Sequence, residues 1–203
     1  MKSYRWLFIV CIAFFIFGCA KGGTFLVRVQ YQPVKEFPSL AGKIGPTLGL
    51  VSFKDERPDQ LYIGRHIPYD GPQSYFKSDP FPLNQAIMDS ISRTLSHFGV
   101  KTIPVSNWDG KPESLKAIEA DSVLMVEIKK FWAEWKAGTF RTNAKTSVHF
   151  IINLGVKKEG KVFTRNVEVE KEGTYARLTP ERVEAIINQM LTDIFDTYFS
   201  NPY

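Results

Sequence analysis

The chain has 203 residues, 44% of them hydrophobic and 23% charged, and a formal net charge of +5. This is the composition of an ordinary globular protein long enough to bury a core, and it contains no internal repeat or low-complexity tract. The basic excess is scattered, with neither a basic stripe nor a recognisable nucleic-acid module, so no nucleic-acid partner is expected.

Lys2 and Arg5 open the chain, and Trp6 to Phe17 form an unbroken apolar run that ends in the small residues Gly18, Cys19 and Ala20. A basic start, a short apolar core and a small-residue stop make a secretory signal peptide. The run falls short of the roughly 20 apolar residues that a membrane span needs. Ile16-Phe17-Gly18-Cys19 resembles the bacterial lipobox. That resemblance implies removal of residues 1–18 and triacylation of Cys19, the lipidation site. Ala20, where some inner-membrane lipoproteins carry Asp, implies passage to the outer membrane with the domain facing the periplasm. The rival reading is an uncleaved apolar anchor. Loss of Lys2 and Arg5 with the leader lowers the net charge to +3. The second cysteine, Cys11, lies in the leader. The mature domain then has no free thiol, disulfide or cysteine metal ligand, and relies on burial alone.

Residues 19–24 are expected to be the lipidated cysteine and a tether, and residues 25–203 a single domain. Phe25 to Tyr31 alternates as a strand, with Phe25, Val27, Val29 and Tyr31 on one face. Pro33 to Pro46 reads as a crossing loop. Pro46 to Lys54 reads as a central strand, apolar on both faces. From Asp55 to Pro82 the chain is rich in Pro, Gly, Asp and Tyr and shows no period, which predicts a long functional or mobile loop.

Leu83 to Phe98 carries Leu83, Ile87, Ile91, Leu95 and Phe98 at helical spacing, between Pro82 and Gly99. Val100 to Val105 is a short strand, and Glu113 to Glu119 a helical turn or two. Ser122 to Trp135, Lys145 to Val156 and Val162 to Tyr175 form an antiparallel meander, with a hairpin turn at Lys158–Lys161. Thr179 caps a last helix whose stripe is Val183, Ile187, Met190, Leu191, Ile194 and Tyr198. About six strands and two amphipathic helices predict an α+β fold. It is a single two-layer domain, with a mixed sheet ending in the meander and both helices on one face.

Two constellations stand out. Asp55, Glu56, Arg57 and Asp59 follow a strand end. Three carboxylates there suit a hard cation or acid–base work, or simply a turn whose charges pair with Arg57. Trp132, Trp135 and Phe140, near Phe131, make an aromatic cluster that is either core or a contact surface. His66, His97 and His149 fit no zinc-ligand spacing and are read as structural. No nucleophile elbow, phosphate loop or metal motif is present, so no catalytic residue, cofactor or metal is assigned.

The chain also resembles the YajG-type family of bacterial lipoproteins. The likeness rests on Cys19-Ala20-Lys21, on Asp55-Glu56-Arg57-Pro58-Asp59 and on the helix end His97-Phe98-Gly99-Val100. It continues through Trp135-Lys136-Ala137-Gly138, Thr142-Asn143-Ala144-Lys145, Glu172-Gly173 and Leu191-Thr192-Asp193-Ile194. It implies a lipid-anchored envelope protein of undefined molecular role and supplies no catalytic residues. The expected function is a binding or assembly accessory held on the membrane by its lipid, with an envelope protein as partner. The alternatives are an accessory subunit of a transport complex and, further off, a carboxylate-dependent hydrolase.

Overall fold

The computed structural model describes residues 22–203, so the leader, Cys11 and Cys19 lie outside the described residues. The fold is α+β, a nine-stranded mixed sheet with its helices on one face. Its spine is β7 (Ser122–Ala137), paired along its length with β8 (Thr142–Val156), which pairs in turn with β9 (Lys161–Tyr175). These three strands are the predicted meander. A short 3₁₀ turn and Gly160, at φ 61°, close the β8–β9 hairpin.

The other side of β7 is paired by three short strands in tandem. They are β2 (Thr47–Val51), β3 (Lys54–Asp55) and β4 (Gly64–Ile67), all parallel to it. Beyond them the sheet divides into two wings. One adds β6 (Lys101–Val105) to β2. The other adds β5 (Ser74–Asp79) to β4, and β1 (Thr24–Arg28) to β5. Among the described residues β9 has no partner on its outer side, so it is an edge strand.

Four expectations are corrected here. The aperiodic stretch Asp55–Pro82 contains β4 and β5, which carry the whole β1 wing. They are short, flanked by Pro and Gly, and bury only Gly64, Phe76 and Ser78, so their alternation is faint. The strand expected over Pro46–Lys54 is two strands, parted at Ser52 and the buried Phe53. The crossing loop holds a five-residue helix, α1 (Leu40–Ile44), that buries Leu40 and Ile44. The first strand also stops early. Val29 and Tyr31 stay buried, but beyond Val29 the backbone turns to the helices, Gln30 N–H donating to Asn188 Oδ1 and Tyr31 N–H to Ser90 Oγ.

The two long helices are α2 (Leu83–His97) and α3 (Pro180–Ser200). Thr179 caps α3, its side chain accepting from Arg182 N–H at 3.3 Å. Their apolar stripes cover the sheet over Leu124, Val126, Ile128, Phe131, Phe150 and Ile152, all buried. Asp196 is also buried on α3. Its carboxylate accepts from Tyr31 O–H at 2.7 Å and from the backbone N–H groups of Val34 and Lys35 at 3.1 Å, clamping the segment after β1 to the helix. Burial, and then the bond to Asp196, push the Tyr31 hydroxyl well above its ordinary pKa.

One extra residue in β7 organises the sheet. The register passes from Ile128↔Phe150 to Lys130↔His149, leaving Lys129 as a bulge. A bulge reverses which side chains face the core. Leu124, Val126 and Ile128 point inward before it, and Phe131, Ala133 and Trp135 after it. On the opposite face, Val123 and Met125 pack with Val51, Trp108 and Leu115 in a second, smaller core. The link between β6 and β7, with its 3₁₀ turn Glu113–Ala117, covers that end. The far half of β7 has no such cover, and its outward residues are Lys130, Trp132, Glu134 and Lys136.

Candidate functional site

The loop after β3 and the exposed face of β7 meet at the bulge. Arg57 holds them together. Its Nε donates to Asp55 Oδ1 at 2.8 Å and its Nη2 to Asp55 Oδ2 at 2.8 Å. The remaining N–H groups donate to the backbone carbonyls of Gln60 (3.3 Å), Tyr62 (2.8 Å) and Phe131 (3.3 Å). All five guanidinium donors are therefore used. The pair is buried, with side chains 4% and 8% exposed. Because the Phe131 carbonyl belongs to β7, this bidentate pair pins the loop onto the spine strand.

The other carboxylates of the loop also have internal partners. Asp59 Oδ1 accepts from the N–H groups of Leu61 (3.0 Å) and Tyr62 (3.2 Å), capping its own turn. Glu56 pairs with Lys129, the bulge residue, which also contacts Glu127 at 2.7 Å. Hydrogen bonds that the Lys129 ammonium donates to the Glu127 and then the Glu56 carboxylate raise its pKa above the usual lysine value. The acidic run is thus a folded turn built around Arg57. Among the described residues no three His, Cys, Asp or Glu side chains converge where a metal could be held.

Between this loop and the sheet lies a hollow of about 490 Å³, lined by Arg57, Pro58, Asp59, Lys129, Lys130, Phe131, Trp132 and His149. Its floor is mostly apolar and its rim mostly basic. Trp132 is half-buried there, and His149 stands opposite Lys130 with Nε2 2.6 Å from Asn166 Oδ1. No Ser, Thr or Cys lines it. It offers stacking and an apolar wall, with Lys130 the one lining lysine or arginine outside an ion pair among the described residues, the chemistry of recognition.

The aromatic cluster read from the sequence is dispersed. Trp135 is 0% exposed and stacks on Tyr175 with ring centroids 5.1 Å apart, so it belongs to the core and to no contact surface. Strand alternation puts Trp132 on the opposite face. Phe140, 88% exposed, sits on the β7–β8 turn, beyond the reach of Trp132. His149 is a lining residue that sequence reasoning assigned to structure. The one hint was the phase of β8, which puts it opposite the apolar row Val148, Phe150 and Ile152. His66 lies on the core face beside Trp135, and burial lowers its pKa.

A larger concavity, about 560 Å³, runs between β9 and α3, lined by Thr146, Lys171, Gly173, Tyr175, Ile186 and Gln189 among others. None of the candidate site residues read from the sequence lines it. The hollow at the bulge is the stronger candidate because the loop and Trp132, found independently, converge there.

No family model and no curated protein matches the sequence. Among solved structures, the chain is similar to a Xanthomonas campestris protein described by family model DUF330. The TM-score is 0.56 at 14% identity, over 87% of this chain and 92% of that one. At that identity the likeness shows the fold alone. Looser likenesses, on which nothing below rests, are a hypothetical protein from Chlamydia trachomatis and a lipoprotein from Neisseria meningitidis. The first has a TM-score of 0.43 at 13% identity, over 75% and 96% of the two chains. The second has 0.37 at 14%, over 74% and 98%.

Proposed function

We propose that the chain is a lipoprotein of the bacterial envelope, held by acylated Cys19 on the periplasmic face of the outer membrane. Its domain is a binding or assembly accessory that engages an envelope protein through the Trp132 hollow. The anchor half of this reading is supported by the sequence of residues 1–20 and by the YajG-type resemblance. One acyl chain gives marginal membrane binding and several give stable binding, so a triacylated cysteine suffices as the sole anchor.

One observation carries the binding half. The carboxylates beside the hollow are committed to Arg57, Lys129 and turn amides, while Trp132 stays half-open in a mostly apolar depression. A hydrolase would need a carboxylate free to move a proton, and the engagement of Asp55 and Asp59 speaks against that alternative. A subunit of a transport complex uses the same surface and differs only in the identity of the partner.

The test is a photo-crosslinking residue at Trp132 in living cells, with Glu159 at the opposite end of the sheet as control. Adducts with an envelope protein are expected from position 132 alone. Their absence from an intact, membrane-held protein sinks the binding reading. Separately, Cys19→Ser is expected to move the domain into the soluble periplasmic fraction, and a variant still wholly in membranes removes the anchor reading.

A further inference from the structure

The strand registers bring several chain segments to one end of the sheet. β1 starts there, because Thr24 lies beside Tyr75 near the start of β5. The β4–β5 loop is there, since His66 pairs with Ser74. So is the β7–β8 turn, because Ile67 pairs with Lys136 and Ala137 with Thr142. The exit of β9 toward α3 joins them through Thr142↔Tyr175.

The chain enters the domain at this same end and is held from its first described residues. Gly23 N–H donates to Ser74 Oγ at 3.3 Å, and Tyr75 N–H donates to the Gly23 carbonyl at 3.0 Å. A Cβ on Gly22 would lie 1.8 Å from the Gln73 carbonyl oxygen, so glycine is required for the backbone to press against the β4–β5 loop. Cys19 is three residues before Gly22. Three peptide units span at most about 11 Å.

This end also gathers the apolar side chains that the fold leaves uncovered. Of the seven large hydrophobic residues exposed among the described residues, four are here. Tyr69, 74% exposed, is on the β4–β5 loop, and Phe140 is on the β7–β8 turn. Phe25 and Leu26 begin β1. The β8–β9 turn at the opposite end carries none of them. Lys136, Arg141 and Arg177 are exposed beside these residues and make no ion pair among the described residues. The acids at this end are Asp70 and Glu181, together with Glu134 and Glu172, which pair with Arg65 and Lys145.

We infer that this end is a membrane-docking surface, and that the domain sits on the bilayer with the tips of Tyr69 and Phe140 in its headgroup layer. The inference rests on the proposed acylation of Cys19. With so short a tether, the end that carries Gly22 stays within about 11 Å of the acylated cysteine and so close to the surface. Tyr69, an apolar ring with a polar hydroxyl, favours that layer, the wholly apolar Phe140 ring favours its boundary with the acyl chains, and unpaired lysines and arginines favour its phosphates. Docking also fixes orientation. The sheet stands away from the membrane, and its outer face remains open sideways to periplasmic partners.

The test uses the full acylated chain in vesicles of phosphatidylethanolamine and phosphatidylglycerol with brominated acyl chains. A polarity-sensitive fluorophore is placed in separate variants at Tyr69→Cys, Phe140→Cys and Glu159→Cys. Labels at 69 and 140 are expected to shift to the blue and to lose about half their emission to bromine, while the label at 159 is unaffected, as interfacial insertion of a loop tip requires. A protein that floats with the vesicles while all three labels stay in water overturns the docking surface and leaves the anchor standing. A protein with unmodified Cys19 by mass spectrometry that does not float overturns both.

Discussion

The two halves of β7 are one strand in two environments. From Ser122 to Ile128 it is covered twice, by the helices on one face and by Trp108 and Leu115 on the other. From Lys130 to Ala137 only the helix face is covered, and the other face carries Trp132 among charged groups. The bulge at Lys129 is where one regime becomes the other, and Arg57 pins its loop just beyond it. The difference separates stability from recognition. The first half closes the core, and the second can present side chains because nothing else depends on burying them.

Breaking the junction gives the largest effect. Arg57→Ala removes five hydrogen bonds and strands the buried Asp55 carboxylate. A loss of about 3–5 kcal/mol is expected, and with it a Tm fall on the order of 10 °C by circular dichroism. A loss under about 1 kcal/mol means the latch is not what holds the loop. Next comes the cover of the first half. Trp108 is 4% exposed, and Trp108→Ala should cost about 3 kcal/mol in urea denaturation.

Acid should loosen the same cover more gently. Asp109 accepts from Ser114 Oγ at 2.5 Å and Lys111 N–H at 3.0 Å, bonds that hold its carboxyl below the usual carboxylate range, with Ser114 the larger cause. Its folded pKa is therefore below its unfolded one, near about 3.9. The stabilisation is fully present above that value and is lost as pH falls through the folded pKa. Trp108 emission in a protein whose other tryptophans are Phe should report increased solvent contact below about pH 4, and Asp109→Asn should abolish the pH dependence of that signal. The smallest effect belongs to the open half. Trp132→Ala should change stability by less than about 1 kcal/mol while abolishing the adducts formed by a photo-crosslinking residue at Lys130, which lines the same hollow. A large loss of stability would make Trp132 a core residue and erase the contrast.

Both long helices and the meander could be read from the sequence because their periods run over 15 or more residues. β4 and β5 could not, because strands this short lean on neighbours for burial and leave little alternation of their own. The parity change in β7 was present in the letters, with Leu124, Val126 and Ile128 giving way to Phe131, Ala133 and Trp135. Without a partner strand, the extra residue between the two rows could not be placed as a bulge. The loop at Asp55–Asp59 was found by its charge, but its use as an Arg57-centred turn needed the Phe131 carbonyl, 74 residues away. Asp196 was invisible for a related reason. It sits on a helix that looks amphipathic, and only Tyr31 and the turn at Val34 and Lys35 explain an acid on the buried side.

The free edge of β9 has a consequence for crowding. Glu168, Glu170 and Glu172 project from one face of that 15-residue strand. Proteins confined to a surface collide far more often, and with less choice of orientation, than proteins in solution. A bare strand in that setting invites zipping into ribbons. Two copies aligned antiparallel about Val169 or Glu170 would set glutamate against glutamate. On the membrane-held protein proposed above, this stripe, which Lys145 neutralises only in part at Glu170 and Glu172, would oppose such pairing.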